Sequence, residues 1–181
     1  MKNTQTTSIS DPINAIYDAA DAMGYGVQVH QFVAVVLACL SATARTIFHI
    51  HLAGPFSSGK STVTRGVRRL LGSQFVVSSG AIQRLTPAAT ARMNARLAER
   101  GLILDERAPV RELEALLRVT AAGDTAVRTI TIKGQAVDLL IEPRFAIIEV
   151  MLDERDLSRQ DRSRYLRLSM PTDEASRSQI T

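Results

Sequence analysis

The sequence predicts an α/β fold with a mainly parallel sheet. Short runs of β-branched and aromatic residues alternate with longer segments in which apolar residues recur at helical spacing. Of the 181 residues, 45% are hydrophobic and 22% are charged, which excludes a wholly disordered or fibrous chain. This length suits one compact domain. We place that domain at residues 11–170, between a disordered N-terminus (1–10) and a disordered tail (171–181).

The elements follow one another in a regular order. The first helix is expected to begin at Asp11, an N-cap followed by Pro12, and to end near Gly24. Later helices are predicted over residues 31–44, 61–71, 87–100 and 110–119. Strands are predicted over residues 47–53, 75–77, 102–104, 145–152 and 165–170. Two further strands, 129–132 and 137–141, flank Lys133-Gly134 and indicate a late β-hairpin.

Charge, cysteine content and hydropathy indicate the type of partner and the cellular location of the protein. The net charge is +4 and the pI is about 9.7, which suits a polyanionic partner. Cys39 is the only cysteine, so no disulfide forms within the chain, and its apolar surroundings favour a place in the core. The longest apolar run, residues 32–40, is too short to span a bilayer, and the polar N-terminus is no secretory signal. We therefore expect a cytoplasmic protein without membrane contact.

Residues 54–61 read GPFSSGKS and match G-x-x-x-x-G-K-[ST] at every fixed position, between a predicted strand and a predicted helix. A chance match in a chain of this length has a probability of about one per cent. Small residues let backbone N–H groups turn inward around an anion, and the following helix presents its positive end. The alternative is a glycine-rich turn that binds nothing. The predicted ATP-binding residues are Gly54, Pro55, Phe56, Ser57, Ser58, Gly59, Lys60, Ser61 and Thr62.

Within this loop, Lys60 is expected to reach the β and γ phosphates, and Ser61 to bind Mg²⁺. A second motif, LILDE at residues 102–106, is an apolar strand that delivers acids at its carboxyl end. Asp105 is expected to hold Mg²⁺ through water, and Glu106 to polarise the water that attacks the γ phosphate. The alternative is a strand that simply ends in solvated acids.

The segments GPFSSGKST, SSGAIQRL and LILDE resemble the P-loop ATPase domain of bacteriophage and mobile-element primase–helicases. The downstream order of a hairpin, the strand RFAIIEVML and the motif DRSRYLRLSM is also similar, so the resemblance covers residues 45–170. It implies a three-layer P-loop NTPase sandwich of the AAA+/RecA type. It also implies a DNA replication motor: an ATP-hydrolysing helicase that assembles as a homo-oligomeric ring on single-stranded DNA.

The resemblance carries over to Lys60, Ser61, Asp105 and Glu106. Two arginines precede the last strand, and in such assemblies an arginine there acts on the nucleotide of a neighbouring subunit. Arg164 is the first candidate for this role and Arg162 the second, although their charged surroundings also suit a solvated face. Glu149 departs from the pattern, because a Ser or Asn is expected where the γ phosphate is contacted. An acid at this position repels phosphate, so it is an open question whether the protein hydrolyses ATP strongly.

The candidate DNA-contacting residues each have an alternative, structural interpretation. Lys133 at the hairpin tip is either a phosphate contact in a ring pore or an ordinary turn residue. Three arginines lie four apart on the predicted helix 87–100, namely Arg92, Arg96 and Arg100. They form either a phosphate-binding stripe or, with Glu99, a surface salt-bridge face. His49 and His51 share one face of a strand, with no third ligand nearby in sequence, and are interpreted as structural.

Three other functions compete with the motor. A small nucleotide or metabolite kinase also has a phosphate loop and this length, but the adjacent acids and the late hairpin argue against it. A GTPase needs a Thr/Asn-Lys-x-Asp motif, which is impossible because lysine occurs only at positions 2, 60 and 133. A degenerate ATP-binding regulator that does not hydrolyse ATP remains open because of Glu149.

Overall fold

The computed structural model describes residues 10–44, 46–78, 97–105, 118–132, 134–141, 144–152 and 163–171, with Asp105 described by its backbone. Several predictions lie outside these residues. They concern both predicted disordered termini except residues 10 and 171, nearly all of the predicted helix 87–100, most of the predicted helix 110–119, and the side chains of Glu106, Lys133 and Arg162.

Three α-helices are described from end to end, and they lie where apolar residues recur at helical spacing; residues 118–122 are also helical. The three helices are α1 (Ser10–Ala22), α2 (Val29–Ser41) and α3 (Lys60–Leu71). A 3-10 turn at Gly26–Gln28 connects the first two. The strands are β1 (His49–Ala53), β2 (Val76–Ser78), β3 (Arg100–Asp105), β4 (Ala126–Ile132), β5 (Gln135–Ile141), β6 (Phe145–Met151) and β7 (Tyr165–Ser169).

Five of the strands form one sheet in the order β2-β3-β6-β1-β7, and every neighbouring pair is parallel. Among the residues that the structure describes, the other two strands, β4 and β5, pair with each other as an antiparallel hairpin. Strand β1 therefore lies inside the sheet, and β6 separates it from β3. This order, with the phosphate-loop motif directly after β1, defines an α/β P-loop NTPase fold, and the predicted parallel sheet and late hairpin are confirmed.

Alternating side chains divide the core between the two faces of the sheet. Ile50, Ile103 and Ile148 pack on one face against α2 and its neighbours, where Phe32 is fully buried. Cys39 lies in this layer, as predicted, and burial raises the pKa of its thiol to about 12. The opposite face carries a smaller apolar cluster, formed by Leu97, Leu102, Leu104, Phe145, Ile147 and Tyr165.

The boundary before β3 differs from the prediction. Arg100 was expected to end a helix, but it is the first residue of β3. Glu99 has a positive φ of 61°, which ends the preceding turn, and its N–H donates to the carbonyl of Arg144 at 2.6 Å. Gly101 then donates to the carbonyl of Phe75 at 2.7 Å. The proposed stripe of three arginines on one helix is therefore wrong at Arg100.

Helix α2 is also shifted towards the N-terminus relative to the prediction. It begins at Val29 and ends at Ser41, where the Ser41 hydroxyl donates to the carbonyl of Ala38 at 2.7 Å. Thr43 donates to the carbonyl of Leu40 in the same way, so local side-chain hydrogen bonds compete with further helical turns. Within the described ranges, no helix combines the length and the apolar character needed to cross a membrane.

Candidate functional site

The phosphate-loop motif lies at the carboxyl-end edge of the parallel sheet, where it connects β1 to the amino end of α3. Two of its residues have left-handed backbone conformations: Ser57 with φ of 59° and Gly59 with φ of 89°. The N–H of Gly54 donates to the carbonyl of Met151 at the end of β6, at 3.3 Å. A Cβ on Gly54 would lie 2.7 Å from that of Met170, so the loop begins where only glycine fits.

The ammonium of Lys60 folds back over the loop that precedes it. Its Nζ donates to the carbonyls of Gly54 and Pro55, at 2.5 and 2.6 Å, and lies 3.3 Å from the Ser58 hydroxyl oxygen. Burial lowers the pKa of Lys60 below its ordinary value. The loop thus surrounds the Lys60 ammonium at the amino end of α3, where backbone N–H groups also carry partial positive charge.

The remaining loop residues differ in exposure. Ser58 is buried, with 4% of its surface accessible, whereas Phe56 is 73% exposed. Ser61 and Thr62, in the first turn of α3, are exposed. The structure therefore places the predicted residues 54–62 in one contiguous, solvent-accessible loop with a buried floor.

Sequence reasoning missed two residues that hold this loop from behind. Gln28 is buried, and its Nε2 donates to the carbonyl of Ser58 at 2.9 Å. The hydroxyl of Tyr25 donates to the carbonyl of Thr62 at 3.2 Å. Both residues lie about thirty positions before the motif, in a connection that carries no recognisable pattern, so no signal in the sequence reveals these contacts.

The predicted acidic motif reaches the same edge of the sheet. Asp105 is the last residue of β3 and pairs in register with Val150 of β6, which in turn lies beside Leu52 of β1. Two strand spacings separate β3 from β1, or about 10 Å. The backbone of Asp105 therefore ends close to the level at which the loop begins, while Glu106 follows just beyond the described residues.

A buried polar pair lies beneath this edge. His51 and Glu149 are in register on β1 and β6, and His51 Nδ1 lies 3.8 Å from Glu149 Oε2. The Tyr165 hydroxyl donates to Glu149 Oε1 at 3.4 Å. Within the described structure, neither ring nitrogen of His51 has a hydrogen-bond partner, and nor does Glu149 Oε2. The carboxylate that departs from the expected Ser or Asn is thus directed at an imidazole of the same sheet.

His49 makes structural contacts, as predicted for it. Its Nδ1 accepts the N–H of Ile147 at 3.1 Å, and its ring lies tilted against that of Tyr165, with centroids 5.8 Å apart. Burial lowers the pKa of His49 to about 4, against smaller opposing effects of a backbone hydrogen bond at Thr120 and of the Glu149 charge. The imidazole is therefore neutral at physiological pH.

Arg164 lies in the turn directly before β7 and is half-buried. β7 borders β1, the strand that carries the phosphate loop. Arg162, the second candidate for the same role, lies just outside the described residues. A role for either arginine towards the nucleotide of a neighbouring subunit stays a prediction.

No protein-family model and no curated protein matches the chain. Among solved structures, a mutant of RuvB from Thermogota maritima is similar to it, with 24% sequence identity and a TM-score of 0.46. The similarity covers 75% of this chain but only 42% of the RuvB chain, so the protein spans less than half of that neighbour's length. The assignment to the P-loop NTPase fold rests on the strand order and the phosphate loop themselves.

Proposed function

We propose that the protein binds and hydrolyses ATP, as a subunit of an oligomeric DNA motor that resembles phage primase–helicases. The observation that carries the proposal is the position of Lys60. Its ammonium is held against the carbonyls of Gly54 and Pro55, inside a loop that ends at the amino terminus of α3. A partly buried cation, a helix amino terminus and a small-residue loop together favour a polyphosphate ligand.

Lys60 has three donors, and its three present acceptors all belong to the loop. Phosphate oxygens are stronger, charged acceptors, so we expect the β and γ phosphates to replace loop carbonyls around Nζ. In the unliganded protein, burial lowers the pKa of Lys60. Phosphate oxygens around Nζ would stabilise the charged ammonium and so oppose this effect.

The donor set at the loop also fits magnesium. The exposed Ser61 hydroxyl and a carboxylate from Asp105 are hard oxygen ligands, the kind that Mg²⁺ selects. The ion would neutralise phosphate charge in the transition state. Glu106 follows Asp105 and would accept the proton of the attacking water. The water oxygen bonds to the γ phosphorus as the bridging bond to ADP breaks, which yields ADP and phosphate.

Assembly and DNA binding are proposed from two further positions in the fold. Arg164 lies beside β7, next to the strand of the phosphate loop, where a neighbouring subunit's nucleotide could meet it. The β4–β5 hairpin pairs with no strand of the main sheet, so Lys133 at its tip could contact the phosphates of single-stranded DNA. The net charge of +4 is compatible with this partner.

The test is the ATPase rate with and without single-stranded DNA, alongside the mass in solution, for the wild type and Lys60→Ala. We expect turnover that DNA stimulates in an oligomer, and loss of ATP binding in Lys60→Ala. An Arg68→Ala variant, changed at an exposed position of α3, is the matched control and should bind normally. Unchanged ATPase in Lys60→Ala would reject the site, and DNA-independent turnover by a monomer would favour a metabolite kinase.

A regulator that binds ATP without hydrolysing it is the second candidate. The sequence pattern leaves it open, because Glu149 occupies the position at which the resemblance predicts a Ser or Asn. The carboxylate is 3% exposed and directed at His51. ATP binding with no turnover, with or without DNA, would favour this candidate over the motor.

A further inference from the structure

We infer that Gln28 is a positioning residue for the phosphate loop: its side-chain amide orients the peptide between Ser58 and Gly59 for nucleotide binding. This inference rests on the proposed binding of ATP, and it concerns a residue that lies outside the loop motif. The link is a single hydrogen bond, from Gln28 Nε2 to the carbonyl of Ser58, at 2.9 Å. Both residues are at least 95% buried, so water does not compete for that carbonyl.

The direction of this hydrogen bond sets the direction of the next N–H. In a trans peptide the C=O and N–H groups point opposite ways. Because the Ser58 carbonyl points at Gln28, the Gly59 N–H points away from it. Within the described chain, that N–H has no hydrogen-bond acceptor. Gln28 thus keeps one donor of the loop available for an anion.

Gln28 also lies directly against the backbone of Gly59. Gly59 has φ of 89°, a conformation that other residues adopt only with strain. A Cβ at this position would lie 2.8 Å from Cδ of Gln28, closer than real contacts allow. The Gln28 side chain is therefore packed directly against the backbone that it orients.

Tyr25 contacts both Gln28 and the first turn of α3, the helix that follows the phosphate loop. The N–H of Gln28 donates to the carbonyl of Tyr25 at 2.8 Å, which fixes the two residues relative to each other. The Tyr25 hydroxyl reaches Thr62 in the first turn of α3, and its ring stacks on Phe32 with centroids 4.4 Å apart. Gln28 is thus anchored to the core, so its amide is a rigid reference for the loop.

The matched control is Gln31, three residues further along the chain in the first turn of α2. Its Nε2 donates to a backbone carbonyl at the same distance of 2.9 Å, but that carbonyl belongs to Ser169 at the end of β7. Gln28→Met and Gln31→Met each remove one amide donor and keep the length of the side chain. Only the first removes a hydrogen bond to the phosphate loop.

The experiment measures the Kd for ATP and for inorganic pyrophosphate by calorimetry, with the Tm of each unliganded full-length variant. Loss of one buried hydrogen bond should weaken binding about tenfold. We expect this loss in Gln28→Met for both ligands, because both share the phosphates, while Gln31→Met stays within about twofold of wild type. In turnover, the KM of Gln28→Met should rise with kcat unchanged. If Gln28→Met does not fold, Gln28→Asn, whose amide is too short to reach Ser58, takes its place.

The outcomes separate the two proposals. If the wild type binds ATP and Gln28→Met binds it equally well, the positioning role is overturned and ATP binding stands. A lower Tm in Gln28→Met with an unchanged Kd also overturns it, since that result describes a purely structural residue. If the wild type binds neither ATP nor pyrophosphate, the proposed function fails, and the inference fails with it.

Discussion

His51 Nδ1 lies 3.8 Å from Glu149 Oε2, in register on neighbouring parallel strands, and both side chains are buried. Burying a carboxylate and an imidazole is unfavourable unless each compensates the other. The second carboxylate oxygen accepts the Tyr165 hydroxyl at 3.4 Å, a long and weak contact. The stability of this part of the sheet therefore depends on the pair as a unit.

Removing one member of the pair should be more harmful than removing both. We expect His51→Leu to lower the free energy of unfolding by about 2 kcal/mol, because it leaves the buried Glu149 Oε2 facing an apolar side chain. The double variant, His51→Leu with Glu149→Leu, should recover most of that loss. A double-mutant cycle by urea unfolding measures the coupling. Additive effects of the two single substitutions would show that the side chains act independently.

The free energy of unfolding should decrease as the pH is lowered, because of His49. Its pKa is about 4 in the folded protein and about 6.5 in an unfolded chain, so the unfolded state takes up the proton first. The stabilisation is fully present above pH 6.5 and is lost as pH falls towards 4, by roughly 3 kcal/mol in total. Urea unfolding between pH 7.5 and 4.5 measures this loss.

The variant His49→Asn tests the assignment, because its amide oxygen can still accept the N–H of Ile147 but does not titrate. The difference in stability between wild type and His49→Asn should change across this pH window. His30→Asn is the matched control, since His30 is exposed. A pH profile that is unaltered in His49→Asn would assign the loss to other groups.

Glu106→Gln should separate ATP binding from hydrolysis. The amide keeps the shape of the side chain but cannot accept a proton from the attacking water, so we expect kcat to fall about 100-fold or more. The Kd for ATP should stay within about twofold, because the loop holds the phosphates without Glu106. Glu99→Gln, an exposed acid in the turn before β3, serves as the control. Full activity in Glu106→Gln would remove the residue from the mechanism.

Arg164→Ala should impair turnover only in the assembled protein. If the guanidinium acts on a neighbouring subunit's nucleotide, its loss lowers kcat about 1,000-fold while each subunit still binds ATP. Mixing Arg164→Ala subunits with Lys60→Ala subunits should restore part of the activity, since some interfaces then combine an intact loop with an intact arginine. Lack of complementation in mixed oligomers would argue for a role within one subunit. Arg167→Ala, exposed on β7, is the control.

The parts of the site that sequence reasoning predicted are local ones. The phosphate loop is a short motif whose spacing alone dictates its geometry, and alternating elements dictate a parallel sheet. The contacts of Gln28 and the pairing of His51 with Glu149 depend on which strands and turns become neighbours in space. Arg100 was misassigned because Gly101 looked like a helix stop, whereas the chain turns at Glu99, a residue type that rarely adopts positive φ.

The position of β1 in the sheet has a consequence for how the protein is made. Both neighbours of β1, β6 and β7, follow it in the chain by about a hundred residues. During synthesis at about 5–20 residues per second, β1 waits on the order of 5 to 20 seconds for its first partner. Pairing over such distances also slows folding itself. The nucleotide site, although its motif emerges early from the ribosome, is therefore among the last parts of the molecule to form.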